Sequence, residues 1–527
     1  MEERSLGRSE SLDRLRQVSR WDLAVIGGGA TGLGTAVDAA ARGYQTVLLE
    51  AGDFTRGTSS RSTKLVHGGV RYLAQGQLSL VREALRERGT LLRNAPHLVR
   101  ACEFVVPAYR LWELPYYGAG LWLYDRLAGR LRLGRCRWMS RSEVERQLPT
   151  LRSQGLRGAI SYQDGQFDDA RLGIALARTL ADLGGTALNY MQVVGFHKRA
   201  GRIEGVESQD RLSGEHFTIP ARGVINATGV DVDALRRMDD PGARDLLVAS
   251  QGTHLVLDRS FLPRPTAILI PRTRDGRVLF AIPWWNRVLV GTTETRLTNV
   301  PGEPRPLAAE VDFLLEHAGD YLAKRPDRGD IKSMFAGLRP LIRPSGADRS
   351  TARIAREHAV VVSKSGLVTI TGGKWTTYRV MAQEAVDRAA RVANLPDRRC
   401  TTETLRLHGW SPPVEPSGSS LDVYGADREA LLRVIREVEG GDRLLHPALP
   451  YLEGEVVWGV RHEAAMTVED VLARRTRALF LDARASIEVA PRVAALMACE
   501  LGRDPSWVDH ETRRFRDRAR SYLEEGP

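Results

Sequence analysis

The sequence predicts an α/β fold extended by an antiparallel-sheet domain and a C-terminal helical domain. Three observations predict it. A short apolar strand at 22–26 runs into a glycine cluster, then into Ala/Gly-rich helical residues up to Gly43, then into a second strand at 46–49. Between 250 and 300, short apolar runs alternate with turns, and the runs 268–270 and 278–280 flank the hairpin signal Asp275-Gly276. Beyond a Pro/Ser/Gly-rich linker at 411–420 the chain reads as helix to its end.

Taken in order, residues 1–20 mix Arg with Glu and Asp, lack the apolar core of a secretory signal, and read as a polar tail. The first domain is expected over 21–240 and again over 360–395, where a strand at 361–371 ends in Gly372-Gly373 and leads into a helix. Strand-like runs fill 184–228 and close with Asn226-Ala227-Thr228-Gly229. The antiparallel substrate domain is expected over 241–359, with parts of 75–150 as a cap. Within that cap 78–92 has the spacing of an amphipathic helix, and 112–138 is rich in aromatics, Leu and Arg. The helical domain is expected over 420–527, with Thr467-Val468-Glu469-Asp470 as a capping box for the helix that follows.

The chain has 527 residues, roughly three domains at about 150 residues each. Hydrophobic residues at 43% and charged residues at 27% exclude a disordered or fibrous chain. Lys and Arg total 76 against 65 Asp and Glu, a net charge of +11. The excess suits an anionic partner, whether a phosphorylated metabolite, an acidic membrane surface or nucleic acid, and equally suits an Arg-rich solvated surface. No motif with interleaved aromatics supports nucleic acid, so none is expected. Four cysteines without a C-x-x-C pair argue against a disulfide framework or a cysteine zinc site and fit a reducing compartment. No stretch reaches the roughly 18 apolar residues of a spanning helix, so membrane association is expected to be peripheral.

Gly27-Gly28-Gly29-Ala30-Thr31-Gly32 satisfies G-x-G-x-x-G between a strand and a helix, and Glu50 ends the second strand. In a Rossmann-like unit Gly27 permits the tight turn, Gly29 lets main-chain amides approach a pyrophosphate, and Gly32 allows close helix–strand packing. Ala30 and Thr31 open the helix whose positive end would face that pyrophosphate, and Glu50 would accept from ribose hydroxyls. The turns Ala227-Thr228-Gly229 and Gly372-Gly373-Lys374 favour FAD over NAD, because both are placed to line the same crevice. His462-Glu463 starts like H-E-x-x-H but lacks the second His, so no metal is expected.

The sequence resembles the FAD-dependent glycerol-3-phosphate dehydrogenase family, of the D-amino-acid-oxidase-like flavoprotein fold, from about residue 20 to 520. The stretch Thr58-Ser59-Ser60-Arg61-Ser62-Thr63-Lys64-Leu65-Val66-His67-Gly68-Gly69-Val70-Arg71-Tyr72-Leu73 carries the resemblance most specifically. Gly252-Thr253-His254, Gly291-Thr292-Thr293-Glu294, Gly337-Leu338-Arg339-Pro340-Leu341, Gly372-Gly373-Lys374-Trp375-Thr376-Thr377-Tyr378-Arg379 and Asp470-Val471-Leu472-Ala473-Arg474-Arg475-Thr476 add to it.

The resemblance implies that glycerol 3-phosphate is oxidised to dihydroxyacetone phosphate by hydride transfer to FAD, with the electrons passed to a quinone or, in an oxidase, to oxygen. It places Thr58, Ser59, Ser60, Lys64, His67, Gly68, Gly69, Val193, Ala227, Thr228, Gly229, Gly373, Lys374, Trp375 and Thr376 at the cofactor. It places Arg71, Tyr72, His254, Arg339, Arg356 and Lys374 around the substrate, with Arg353 close enough to be the counterpart of Arg356. Arginines and lysines suit a phosphate ester, Arg by its bidentate fork. His254 is the expected general base, since histidine titrates near working pH, and Lys374 and Arg339 compete for that catalytic role. His67 is read as a local hydrogen-bonding residue that shapes the flavin loop. The expected setting is cytoplasmic, at the inner membrane face, with 116–138 in an anionic lipid interface or as a solvated lid, and with the chain as a homodimer.

Overall fold

A computed structural model describes residues 6–74, 76–274, 276–343, 358–413 and 417–524. Two sheets organise it. In the first, strand Trp21–Ile26 lies between His216–Asn226 and Thr46–Leu49, followed outward by Thr186–Leu188 on one side and Val368–Gly372 on the other, all parallel. His358–Val362 closes one edge antiparallel, and the ribbon of Met191–Arg199 and Arg202–Asp210 adds onto His216–Asn226. These strands read as continuous apolar runs because helices cover them. Helix Ala30–Ala41 packs between Asp169–Asp182 and Tyr378–Val392. Ile26 is in register with both Leu49 and Asn226, so Gly27, Glu50 and Ala227 emerge together at the carboxyl edge, where ligands bind in open α/β sheets.

The second sheet has ten strands. Leu247–Asp258 is its backbone, paired antiparallel with Ile331–Ile342 on one side and Arg287–Gly291 on the other. Ala267–Ile270 and Leu279–Trp284 form the expected hairpin, with Gly276 in left-handed backbone (φ 79°) and Asp275 outside the described residues. The C-terminal helices share a core with this sheet. Phe104, Ile160, Val256 and Phe335 pack with Val456, Val471, Phe480 and Tyr522.

The structure departs from the sequence reading in four places. Arg8–Gln17, expected as tail, is a helix: Leu6 and Leu15 are buried, and the Arg8 guanidinium pairs with Asp210 at 2.6 Å. Gly158–Phe167, expected in the first domain, belongs to the second sheet, where it pairs with Val99–Ala108 from the expected cap. Of the linker, 414–416 lie outside the described residues, and Ser420–Asp427 is already a run of 3-10 turns. The capping box at Thr467 is present, since the Asp470 amide donates to Thr467 Oγ1 at 3.2 Å and the Thr467 amide to Asp470 at 3.0 Å. The helix it starts, Asp470–Arg475, is π-helical, and that wider turn delivers Arg474 and Arg475 onto one carboxylate, Asp53, at 2.5 and 2.6 Å.

Candidate active site

A cavity of about 750 Å³ runs from the carboxyl edge of the parallel sheet to the face of the antiparallel one. Its floor at the first end is the glycine turn. Gly27 takes φ 109°, and a Cβ there would lie 2.6 Å from the Ala227 carbonyl oxygen. A Cβ on Gly32 would meet Gly27 O at 1.8 Å, so this residue sets the helix–strand approach and does not itself line the cavity. Gly29, Ala30 and Thr31 do line it, at the start of a helix whose first turn carries no acidic residue to cancel its positive end. The Ala30 amide donates to Ser59 Oγ at 2.9 Å.

Glu50 holds this end together. Its carboxylate accepts from the Gly28 amide at 2.5 Å and the Gly52 amide at 2.7 Å. Burial pushes its pKa up, and the two amides oppose that. Each carboxylate oxygen keeps lone-pair capacity for a further donor. Val193, Ala227, Thr228 and Gly229 complete this wall.

The middle of the cavity is walled by the turn that follows the second strand of the parallel sheet. Thr58 Oγ1 donates to the Leu338 carbonyl, and Trp375 Nε1 donates to Ser59 O at 2.8 Å. The His67 amide donates to Thr376 Oγ1 at 3.2 Å. Thr58, Ser59, His67, Gly373, Trp375 and Thr376 all line the cavity. Besides Gly32, four residues expected at the cofactor do not line it. Ser60 and Lys64 are buried behind the turn, where the Lys64 ammonium donates to Asp169 and to Ser60 O. Gly68 points at the helix layer, since a Cβ there would meet Leu85 and the Tyr124 hydroxyl. A Cβ on Gly69 would meet the Tyr72 ring.

At the far end, two adjacent strands build a polar wall. Ser250, Gly252 and His254 alternate on one face of Leu247–Asp258, opposite Arg339, Gly337 and Phe335 of Ile331–Ile342. The cross-strand pair Gly252–Gly337 lies between His254 and Arg339 on this face. Both positions need glycine, because a Cβ on Gly252 would lie 2.3 Å from Arg339 Nη2, which lies across it, and one on Gly337 would lie 2.8 Å from Arg61 O. Arg339 donates to the Thr293 carbonyl at 3.1 Å and to Thr292 Oγ1 at 3.0 Å. Lys374 lines the same cavity, its ammonium 4.0 Å from the centre of the Tyr72 ring. The Arg71 side chain, Arg353 and Arg356 lie outside the described residues.

His254 is almost completely buried. Its ring stacks on Phe335 at 4.9 Å, and its Nε2 is hydrogen-bonded to Thr63 Oγ1 at 2.9 Å. Burial, then the cations of Lys64 and Arg339, hold its pKa well below the usual histidine range. The imidazole is therefore neutral at ordinary pH, as a proton acceptor must be.

Three features carried no role in the sequence reading. Thr63 and Arg61 lie within the quoted stretch, but no spacing rule marks either one. Glu303, in the Pro/Gly-rich run 300–304, lines the cavity and pairs with Arg61 and with Arg518 of the C-terminal helix Pro505–Arg520. His462-Glu463 has a structural explanation, since Glu463 forms a bidentate pair with buried Arg171 at 2.6 and 2.7 Å.

This fold and this groove are those of an FAD-dependent oxidoreductase. The family described as FAD dependent oxidoreductase matches residues 22–379, and the C-terminal domain of alpha-glycerophosphate oxidase matches 413–507. The mitochondrial glycerol-3-phosphate dehydrogenase of Homo sapiens is 40% identical over 98% of this chain and 75% of its own. The glycerol-3-phosphate dehydrogenase of Bacillus halodurans, solved in complex with FAD, superposes with a TM-score of 0.80 at 31% identity, covering 99% of this chain and 98% of that one. The L-alpha-glycerophosphate oxidase of Mycoplasma pneumoniae, at 16% identity and TM-score 0.54 over 74% of this chain and 98% of its own, shares the fold. The chain belongs to the FAD-dependent glycerol-3-phosphate dehydrogenase family. Its cofactor is FAD, and the glycine turn, the uncompensated helix start and the Glu50 carboxylate fit that dinucleotide.

Proposed function

We propose that the protein oxidises sn-glycerol 3-phosphate to dihydroxyacetone phosphate by hydride transfer to FAD and delivers the electrons to a membrane quinone. The observation that carries this reading is the cavity wall on which a neutral histidine, His254, lies with two cations, Arg339 and Lys374. Bound FAD supplies the two-electron oxidant that accepts the hydride from carbon 2. Gly27, Gly29, Ala30 and Thr31 hold the pyrophosphate, and Glu50 accepts from ribose. Residues 58, 59, 67 and 373–376 shape the pocket for the ring system, with 193 and 227–229 along the nucleotide. Arg339 and Lys374 neutralise the substrate phosphate, joined in this reading by Arg71 and Arg356, while Tyr72 seats Lys374 by cation–π contact. His254 takes the proton of the carbon-2 hydroxyl, held in orientation through Nε2 by Thr63.

The helix Glu113–Ala128 supports a membrane site. Leu111, Trp112, Tyr116 and Trp122 on or just before this helix, and Trp138 in the strand Arg137–Met139, are large apolar side chains left exposed. Arg126 lies over the Trp122 ring at 4.9 Å, and Arg130, Arg132, Arg135 and Arg137 are exposed beside it. Aromatics with cations suit the headgroup region of an anionic bilayer. Among the described residues no helix is long and apolar enough to cross a membrane. A cytoplasmic position at the inner membrane face and a homodimer complete this reading, the latter checked by mass in solution.

Anaerobic mixing of the yellow protein with glycerol 3-phosphate tests the core of the proposal. The flavin spectrum should bleach, unphosphorylated glycerol should not bleach it, and a quinone should restore it. Failure to bleach overturns the reading. The matched oxidase-type C-terminal domain favours a second reading, an oxidase, which stoichiometric peroxide in air without quinone would establish.

A further inference from the structure

One fully buried charged cluster has no part in the reaction described so far. Lys64, in left-handed backbone (φ 63°), donates to Asp169 Oδ2 at 2.6 Å and to Ser60 O at 2.8 Å. The same Asp169 oxygen accepts from the Ser62 amide at 3.0 Å and the Ser62 hydroxyl at 2.7 Å. Arg477 reaches in from the C-terminal domain, donating to Ser60 O at 2.7 Å and to Asp169 Oδ1 at 3.2 Å. The turn 60–64 is thus fixed at three residues by one carboxylate and two cations. Thr63, flanked by the held residues Ser62 and Lys64, bonds His254, while Arg61 pairs outside the cluster with Glu303.

A second connection runs through aromatic rings. The Lys64 ammonium lies 5.3 Å from Trp284, 5.2 Å from Phe335 and 5.3 Å from Phe480. Phe335 is the ring on which His254 stacks. Burying an ammonium and a guanidinium costs several kcal/mol per ion, and apolar residues would staple the turn at no such cost. The charges therefore call for a role beyond holding the fold.

We propose that Lys64, Asp169 and Arg477 are positioning residues that fix the 60–64 turn so that Thr63 holds His254 in its proton-accepting orientation. The C-terminal domain, through Arg477, is then part of the catalytic apparatus. This inference rests on the reading of His254 as proton acceptor. Charged groups face the cluster from every side. Lys64 and Arg339 face His254, while Asp168 and Asp169 from the start of the 169–182 helix and Arg477 from the C-terminal domain face Lys64. Burial lowers the Lys64 pKa to about 7, and Asp169 opposes the fall. Removing this cation removes one of the influences that depress His254.

The test uses holoenzyme and rates expressed per bound flavin. Lys64→Met, which fits the aromatic cage without charge, should keep flavin but lower kcat about 100-fold with a smaller change in KM, since a misplaced proton acceptor costs rate. The acid limb of its kcat/KM profile should move to higher pH, because His254 is then protonated more readily. A merely structural role would change flavin content or melting temperature and leave that limb in place. Thr63→Val leaves the buried cluster intact and should lower per-flavin kcat in the same way, which decides the matter if Lys64→Met fails to fold. Unchanged per-flavin kcat in Thr63→Val, or an unmoved acid limb in folded Lys64→Met, overturns the inference. Wild-type protein that glycerol 3-phosphate fails to bleach overturns instead the reading beneath it.

Discussion

At the scale of single residues, the polar wall is shaped by what the glycines leave out. Gly252 gives up a side chain so that Arg339 can lie across it, and Gly291 does the same for the His254 ring, whose Cδ2 would lie 2.2 Å from an added Cβ. If Arg339 binds the substrate phosphate as proposed, Arg339→Ala removes a half-buried cation from it and should cost about 2–5 kcal/mol of substrate binding, a rise in KM of about 30-fold or more with flavin retained. Gly252→Ala is a subtler version. The added methyl strikes the end of a flexible side chain and Thr292 Oγ1, so Arg339 should swing aside with little loss of stability. Steady-state kinetics should show a raised KM beside a melting temperature within a few degrees of wild type.

At the scale of elements, the turn 58–67 and the segment between Thr295–Arg296 and Ala308–Gly319 face each other across the cavity. The second carries Glu303, whose carboxylate joins Arg61 on the turn to Arg518 at 2.5 Å on the last helix. With Pro301 and Gly302 lining the cavity, this ion pair ties the turn and the last helix together at its wall. Glu303→Gln leaves Arg61, itself buried, without its charge partner. Flavin release on dilution, followed by fluorescence, should then quicken by about tenfold, the scale of about 1.4 kcal/mol. The aromatic helix is also wired inward. The Gly68 amide donates to the Tyr124 hydroxyl at 2.7 Å, and that hydroxyl donates to Asp164 at 2.7 Å. The buried face of the helix and the turn that follows Val66 thus share one hydrogen-bonded chain.

At the scale of the whole molecule, buried charge clamps the C-terminal domain to the nucleotide end. Asp53 accepts from Arg474 at 2.5 Å and from Arg475 at 2.6 and 2.8 Å. Burial alone would raise the Glu469 pKa, but Arg474, Arg518 and Arg56 together hold it down to about 2. Arg475 and Arg474 likewise hold Asp53 below the usual range against its burial. A carboxylate depressed on folding adds stability that is fully present above its unfolded pKa and lost as pH falls toward the folded one. The melting temperature should therefore fall as pH is lowered from about 4.5 toward 2, with C-terminal unfolding and flavin loss together. Asp53→Asn, which takes the carboxylate from buried Arg475 and leaves Arg474 with Glu469 and Asp470, should cost about 3–5 kcal/mol at neutral pH by denaturant titration.

Local pattern was enough for the strand–glycine–helix–strand unit, because a tight turn, a close helix and a terminal acid each demand a residue type at a fixed spacing. It was enough for Glu50, His254, Arg339 and Lys374 as cavity-lining residues, since each sits in a motif beside a strand end or turn. Chain order could not reveal that 158–167 leaves the first domain for the second sheet, because strand pairing is decided by which edges meet. Nor could it show that Ser60 and Lys64 turn away from the cavity, or that Arg477, over 400 residues later, meets the same Ser60 carbonyl. Side-chain direction in an irregular turn follows from what packs behind it. Here that is a carboxylate and an aromatic cage assembled from three distant parts of the chain, and only the folded structure brings them together.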